Sequence, residues 1–238
     1  MQGQRVLVVG ASEGIGLAVA QAAAQAGASV TIAGRHQDKL DAAAAGSALA
    51  TLTLDAGDEA AVAAYFAACD PWDHLVTLTA ARMGPMPLAQ TPVDAVQTAF
   101  AAKFWTQYRV VKHGAGKVKP GGSIILTSGQ ASRRYSPGVA WLSALNAGLE
   151  ALGRGLAIEL APAKVRVNVI CPGLVDTGIW DRMAPEAKQA FMVGAAGRLL
   201  VGFVAKPADL AAAYVYLMTS PYSNGSVIDV DGGGPRPG

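Results

Sequence analysis

A run of glycines at the boundary between two different periodicities constrains this chain most. Residues 5–9 (Arg5 through Val9) form a short apolar run of strand length, and residues 15–26 follow with a helical pattern. Between them stands Gly10-Ala11-Ser12-Glu13-Gly14-Ile15-Gly16. A glycine directly after a buried strand lets the backbone turn sharply, and glycine at a helix start lets another group approach the backbone closely. The amides of the first helical turn then face that group and attract negative charge. The spacing therefore predicts a pyrophosphate cradle for a dinucleotide, lined by Gly10, Ser12, Gly14, Ile15 and Gly16.

A cradle of this kind requires a parallel sheet, and the rest of the chain supplies one. Strand-length runs at 29–33, 51–54, 73–79, 123–127, 165–170 and 226–230 alternate with helical stretches at 36–45, 58–68, 92–118, 138–160 and 208–218. Together these predict an α/β fold: a Rossmann-like, doubly wound parallel sheet of about seven strands with helices on both faces. No linker interrupts the pattern, so residues 1–238 are expected to form a single domain. The alanine tracts at 22–24 and 42–45 lie in helical stretches, where alanine is the best helix former.

Composition narrows the function classes. A net charge of +2, with Arg133-Arg134 as the longest basic cluster, leaves no electrostatic footprint for nucleic acid. No apolar run reaches spanning length and residue 1 leads straight into a strand, so a cytoplasmic protein without membrane contact is expected. Cys69 and Cys171 have no ligand-spaced partners, and both read as buried core residues rather than metal ligands or a disulfide.

Cofactor choice is written at the end of the second strand. An acid there would bind the adenosine ribose of NAD, whereas an arginine pairs with the 2′-phosphate of NADP. The chain reads Ala33-Gly34-Arg35, and the nearest acid, Asp38, falls inside the next helix. NADP(H) is the expected cofactor; the competing reading makes Arg35 a plain surface charge.

With these motifs in order, the chain resembles the short-chain dehydrogenase/reductase family over nearly its whole length. Gly10, Gly14 and Gly16 match that family's turn, and Leu54-Asp55 resembles the place where an aspartate meets the adenine. Residues 171–177, Cys-Pro-Gly-Leu-Val-Asp-Thr, resemble its Pro-Gly segment, in which Pro172, Gly173, Val175 and Thr177 would line the nicotinamide side. Residues 229–233 resemble its closing strand and Asp-Gly-Gly turn. The resemblance implies an oxidoreductase acting on a small molecule as a homodimer or homotetramer, with Trp105, Tyr108 and Trp141 between subunits. It also implies a lid over substrate, and the apolar Met183, Phe191, Met192, Leu199, Leu200 and Phe203 in that stretch either favour an apolar substrate or cover the core.

The same alignment departs from the family at its proton relay of Asn, Ser, Tyr and Lys. Those positions fall on Lys103, Gly129, Leu142 and Asn146, and the expected Asn-Asn-Ala-Gly reads Thr77-Leu78-Thr79-Ala80. Asn146 retains the capacity to bind a ribose hydroxyl, but Leu142 has no proton to give. Lys103 becomes the leading candidate for proton donor or electrophile, its other reading being a space-filling lysine paired with a nearby acid or carbonyl. Ser128, Ser143 and Tyr135 flank the vacated positions as further candidates, each with a structural alternative in capping or packing. Arg133 and Arg134 read as a solvated pair and His113 as a helix-end residue. Two functions remain open: an NADP(H)-dependent oxidoreductase with a non-standard proton donor, or an NADP(H)-binding protein of the same fold that is inactive or non-redox.

Overall fold

The structure, a computed structural model, describes residues 1–81 and 83–234. Its centre is a seven-stranded sheet in the order β3-β2-β1-β4-β5-β6-β7, every neighbouring pair parallel. The strands are β1 (Arg5–Val9), β2 (Ser29–Gly34), β3 (Ala50–Thr53), β4 (Trp72–Thr77), β5 (Val118–Thr127), β6 (Arg166–Pro172) and β7 (Val227–Val230). The helices are α1 (Gly14–Gln25), α2 (Gln37–Ala44), α3 (Glu59–Ala68), α4 (Val93–Phe100), α5 (Thr106–Gly114), α6 (Ala140–Glu159), α7 (Pro185–Ala196) and α8 (Pro207–Thr219).

Strand side chains alternate between two cores because successive residues point to opposite faces. Val6, Val8, Ile32, Val76, Ile125 and Ile170 pack with α1 and α8 on one face. Leu7, Val9, Leu75, Ile124, Leu126 and Val169 pack with α3, α5 and α6 on the other. Burial on both faces explains why these strands read as continuous apolar runs. The strand order reverses between β1 and β4, and a crevice at such a switch point, at the carboxyl ends of the strands, is where this architecture binds ligands.

Several boundaries differ from the sequence reading. The long helical stretch at 92–118 is two helices joined by a π-helical turn, Ala101–Trp105, and Val118 already belongs to β5. That strand begins early through an irregular register between the Trp72 and His74 pairings, a bulge that periodicity does not reveal. Helix α7 was not expected; its segment PEAKQAFMVGAA has no apolar stripe and buries only Ala195. Cys171 is buried, but Cys69 at the end of α3 is only half-buried. Trp141 is buried within the chain against Ala99, Leu145 and Leu149, not held in reserve for a partner, whereas Trp105 and Tyr108 remain exposed. No helix among the described residues is long and apolar enough to cross a membrane.

Candidate functional site

The turn after β1 is built for close approach. Gly10 has φ +87°, and a Cβ there would lie 1.8 Å from the Leu78 carbonyl oxygen; one at Gly16 would lie 2.4 Å from the Gly10 oxygen. No larger residue fits either position, so the β1 end, the β4 end and the start of α1 are pressed together. The side chain of Glu13, just ahead of α1, makes no cap to the helix, whose leading amides attract negative charge. Ser12 lies beside Gly34 at the end of β2, and Arg35 follows, exposed to solvent. Asp55, just past β3, is exposed and accepts from the Gly57 amide. This cradle and the basic group beside it fit a dinucleotide with an extra phosphate.

The Pro-Gly segment folds over the same crevice. The Gly173 amide donates to the Val230 carbonyl at 2.9 Å, and Val175 bridges to Ala205. A Cβ on Gly14 would meet the Thr177 side chain at 3.5 Å, so two motifs far apart in sequence lie side by side. The Trp180 indole N–H donates to the Val175 carbonyl, and its ring packs on Phe191 of α7. Beyond α7, Leu200 and Phe203 lie open to solvent.

At the other end of the crevice Lys103 points inward, 8% exposed. It sits in the middle of the π-helical turn, whose extra residue shifts the helix register and re-aims the side chains that follow. Its ammonium donates to the Ser128 carbonyl at 2.7 Å and to Asn146 Oδ1 at 2.8 Å. Burial brings its pKa down to about 8. The lysine is held by carbonyl oxygens, not by an acid. Gly129 makes room for this: a Cβ on it would sit 3.0 Å from Asn146 Nδ2. The Thr79 hydroxyl donates to the Lys103 carbonyl, tying in the β4 end.

One helical turn on, Gln107 is fully buried and bonds both backbone groups of Thr127, at 2.9 and 3.0 Å. It registers α5 against the end of β5, next to Ser128. Behind Ser128 stands Glu150, 5% exposed, which accepts from the hydroxyls of Ser128 and Ser132 and from Arg133. Burial alone would raise its pKa, but the bonds from Ser132 and Arg133 prevail and hold the carboxyl below its usual range. Arg133 also reaches Asp229 at 2.9 Å, and Arg134 pairs with Asp231.

Lys103, Ser128 and Asn146 are therefore brought together, with Gly129 beside them. Ser143 and Tyr135 are not among them: the Ser143 hydroxyl donates to the carbonyl of Val139, just ahead of its own helix, and Tyr135 is 69% exposed. Leu142 is half-buried against the apolar cluster of Trp141 and Leu145. The reading of Arg133 and Arg134 as a solvated pair is corrected, since their carboxylate partners lie on α6, in β7 and just past β7, too distant in sequence to be read from spacing. His113 Nε2 lies within hydrogen-bond distance of Glu59 Oε1 on α3, at 3.1 Å. Gln107 and Glu150 escaped the sequence reading because each looks like an ordinary polar helix residue. The described residues hold no group of three or more His, Cys, Asp or Glu suited to a metal ion.

Comparison with known proteins places this geometry in context. A family model described as enoyl-(acyl carrier protein) reductase matches residues 10–234. The D-erythrulose reductase of Gallus gallus is 33% identical over 98% of this chain and 96% of its own length. A small-chain dehydrogenase solved in complex with NADPH is 34% identical, with a TM-score of 0.83 over 97% of each chain. The MalC reductase/Diels-Alderase from Malbranchea aurantiaca is 30% identical, with a TM-score of 0.87 over 98% of this chain and 96% of that one.

Proposed function

The chain belongs to the short-chain dehydrogenase/reductase family, and from that premise we propose an NADP(H)-dependent oxidoreductase that uses Lys103 as proton donor toward a small, apolar carbonyl, alcohol or imine. NADP(H) supplies or accepts the hydride. Gly10 and Gly16 admit its phosphates to the amides of α1, Ser12 and Ile15 line the cradle, and Arg35 pairs with the 2′-phosphate. Asp55 serves the adenine, while Pro172, Gly173, Val175 and Thr177 flank the nicotinamide. The NADPH complex of the 34%-identical dehydrogenase supports this assignment.

The observation that carries the catalytic part is the pair of neutral acceptors on Lys103 Nζ. An ammonium has three N–H bonds and two of them are fixed on Ser128 and Asn146, so the third is the one free to move to a substrate oxygen or nitrogen. The neutral amine that remains keeps both anchors and offers a lone pair where the proton was. With a pKa near 8 both forms are accessible around neutrality, the condition for acid–base work in either direction. The departures at Gly129, Leu142 and Asn146 belong to this reading: Lys103 takes over the proton, and Asn146 anchors it through Oδ1 while its Nδ2 serves a ribose hydroxyl. The exposed apolar Leu200 and Phe203, on the segment that would close over the crevice, favour an apolar substrate.

Lys103→Met is expected to lower kcat about 10²- to 10⁴-fold while NADPH still quenches the tryptophans as in the parent protein. Carbonyl reduction should fall as pH rises through about 8, because the donor is the ammonium; alcohol oxidation should rise over the same interval. Undiminished turnover in Lys103→Met would overturn the assignment. A second reading, a non-redox or inactive NADP(H) protein, is favoured by Leu142, which carries no proton. Similarity to a protein described as both reductase and Diels-Alderase is consistent with it. NADPH binding without oxidation across a broad panel of apolar aldehydes, ketones and imines would select it.

A further inference from the structure

We propose that Glu150 is a positioning residue for Lys103: through the Ser128 hydroxyl it sets the direction of the Ser128 carbonyl, and so the place where the ammonium is held. The catalytic consequence rests on the function proposed for Lys103; the positioning itself does not. Ser128 is anchored at every polar group. Its amide donates to the Ile170 carbonyl at 2.9 Å, its hydroxyl to Glu150 Oε1 at 3.1 Å with the Ile170 carbonyl a longer second acceptor at 3.4 Å, and its carbonyl receives the lysine. Lys103's other acceptor, Asn146, lies four residues before Glu150 on α6, on the same face one turn away. Both anchors of Nζ are thus referenced to one rigid stretch of helix, Asn146 directly and Ser128 through Glu150.

The carboxylate is itself braced. Ser132 and Arg133 donate to it, and Arg133 is held from behind by Asp229 of β7. A buried carboxylate without partners would be strongly unfavourable, so this arrangement gives Glu150 a fixed geometry and leaves Ser128 little freedom to drift. The titratable group that acts on the lysine directly is the Cys171 thiol from β6, which burial pushes up to about 11 so that it stays neutral; Glu150 from α6 reaches the lysine through Ser128, with Arg133 and Asp229 behind Glu150.

The test uses the full chain labelled with [15N]lysine, in which the Lys103 Nζ resonance is the one lost in Lys103→Met. Ser128→Ala keeps every charge and the backbone carbonyl but removes the link to Glu150; Glu150→Gln removes the charge. Both are expected to lower the Lys103 titration midpoint by about half a pH unit or more, since an ammonium whose acceptor is no longer held in place is disfavoured. Glu159→Gln, an equal charge change at the exposed end of α6, should leave the midpoint in place. In turnover the two variants should lower kcat about tenfold with an unchanged KM for NADPH, and the double variant should be no worse than the poorer single one. An unmoved Lys103 resonance in Ser128→Ala would overturn the proposal even if Glu150→Gln failed to fold, and so would additive losses. If the resonance moves but Lys103→Met still turns over, the positioning stands and the catalytic role falls. If Lys103→Met is dead while Ser128→Ala and Glu150→Gln are normal, the reverse holds.

Discussion

Arg35 stands exposed where β2 ends, just past Gly34 beside the serine of the glycine turn, and the cofactor preference proposed above rests on that one side chain. A guanidinium can form paired charge-assisted bonds to a 2′-phosphate; a carboxylate would repel it and accept from ribose hydroxyls. Arg35→Asp should therefore weaken NADPH binding by tenfold or more and bring NADH to equal or better affinity, as read by tryptophan quenching; unchanged NADPH affinity would refute the assignment. Arg35 was legible as a candidate because its place depends on the end of one strand. Lys103 was legible as a departure from a pattern, but its two partners were not. Those partners come from a strand end and a helix 25 and 43 residues away, and only the fold sets them within hydrogen-bond reach.

At the scale of elements, the π-helical turn between α4 and α5 decides what reaches the crevice. Apolar spacing suggests one continuous helix from 92 to 118, because one extra residue in a helical ladder changes periodicity very little. It nevertheless alters which face Lys103 and the residues after it present. Gln107 then locks α5 to β5 by satisfying both backbone groups of Thr127. Gln107→Leu would leave a buried N–H and a buried C=O without partners, at about 1–3 kcal/mol each. Thermal unfolding should drop by roughly 5–15 °C, and turnover should fall with it as Lys103 loses register. A Tm within 2 °C of the parent would mean that this lock does not support the element.

At the scale of the whole molecule, the two-sided core takes in a histidine that titrates in the acid range. His74 is buried in β4; its Nδ1 bonds Ser123 Oγ at 2.9 Å, and its Nε2 has no partner. Burial, helped by the nearby Arg166, brings its pKa down to about 4 from 6.5. Between those values the unfolded chain binds a proton that the folded chain refuses. The contribution is thus fully present above pH 6.5 and is lost as pH falls toward 4, by about 3 kcal/mol at most. The stability difference between the parent and His74→Gln, measured by urea unfolding, should shrink by that order between pH 7 and pH 4.5. A constant difference would show that His74 does not drive acid sensitivity.

The alternation of strand and helix, the glycine cradle and the basic residue after β2 were all determined by the sequence alone, because each depends on contacts within a few residues or on a repeated period. The parallel seven-stranded sheet followed from them. Tertiary structure alone decided that Arg133 and Arg134 are paired rather than solvated, that Glu150 braces Ser128, and that Lys103 rests on two carbonyl oxygens. These facts depend on which strand ends and helix faces meet, and a hydrogen bond formed across such a meeting leaves no periodic trace in the chain that makes it.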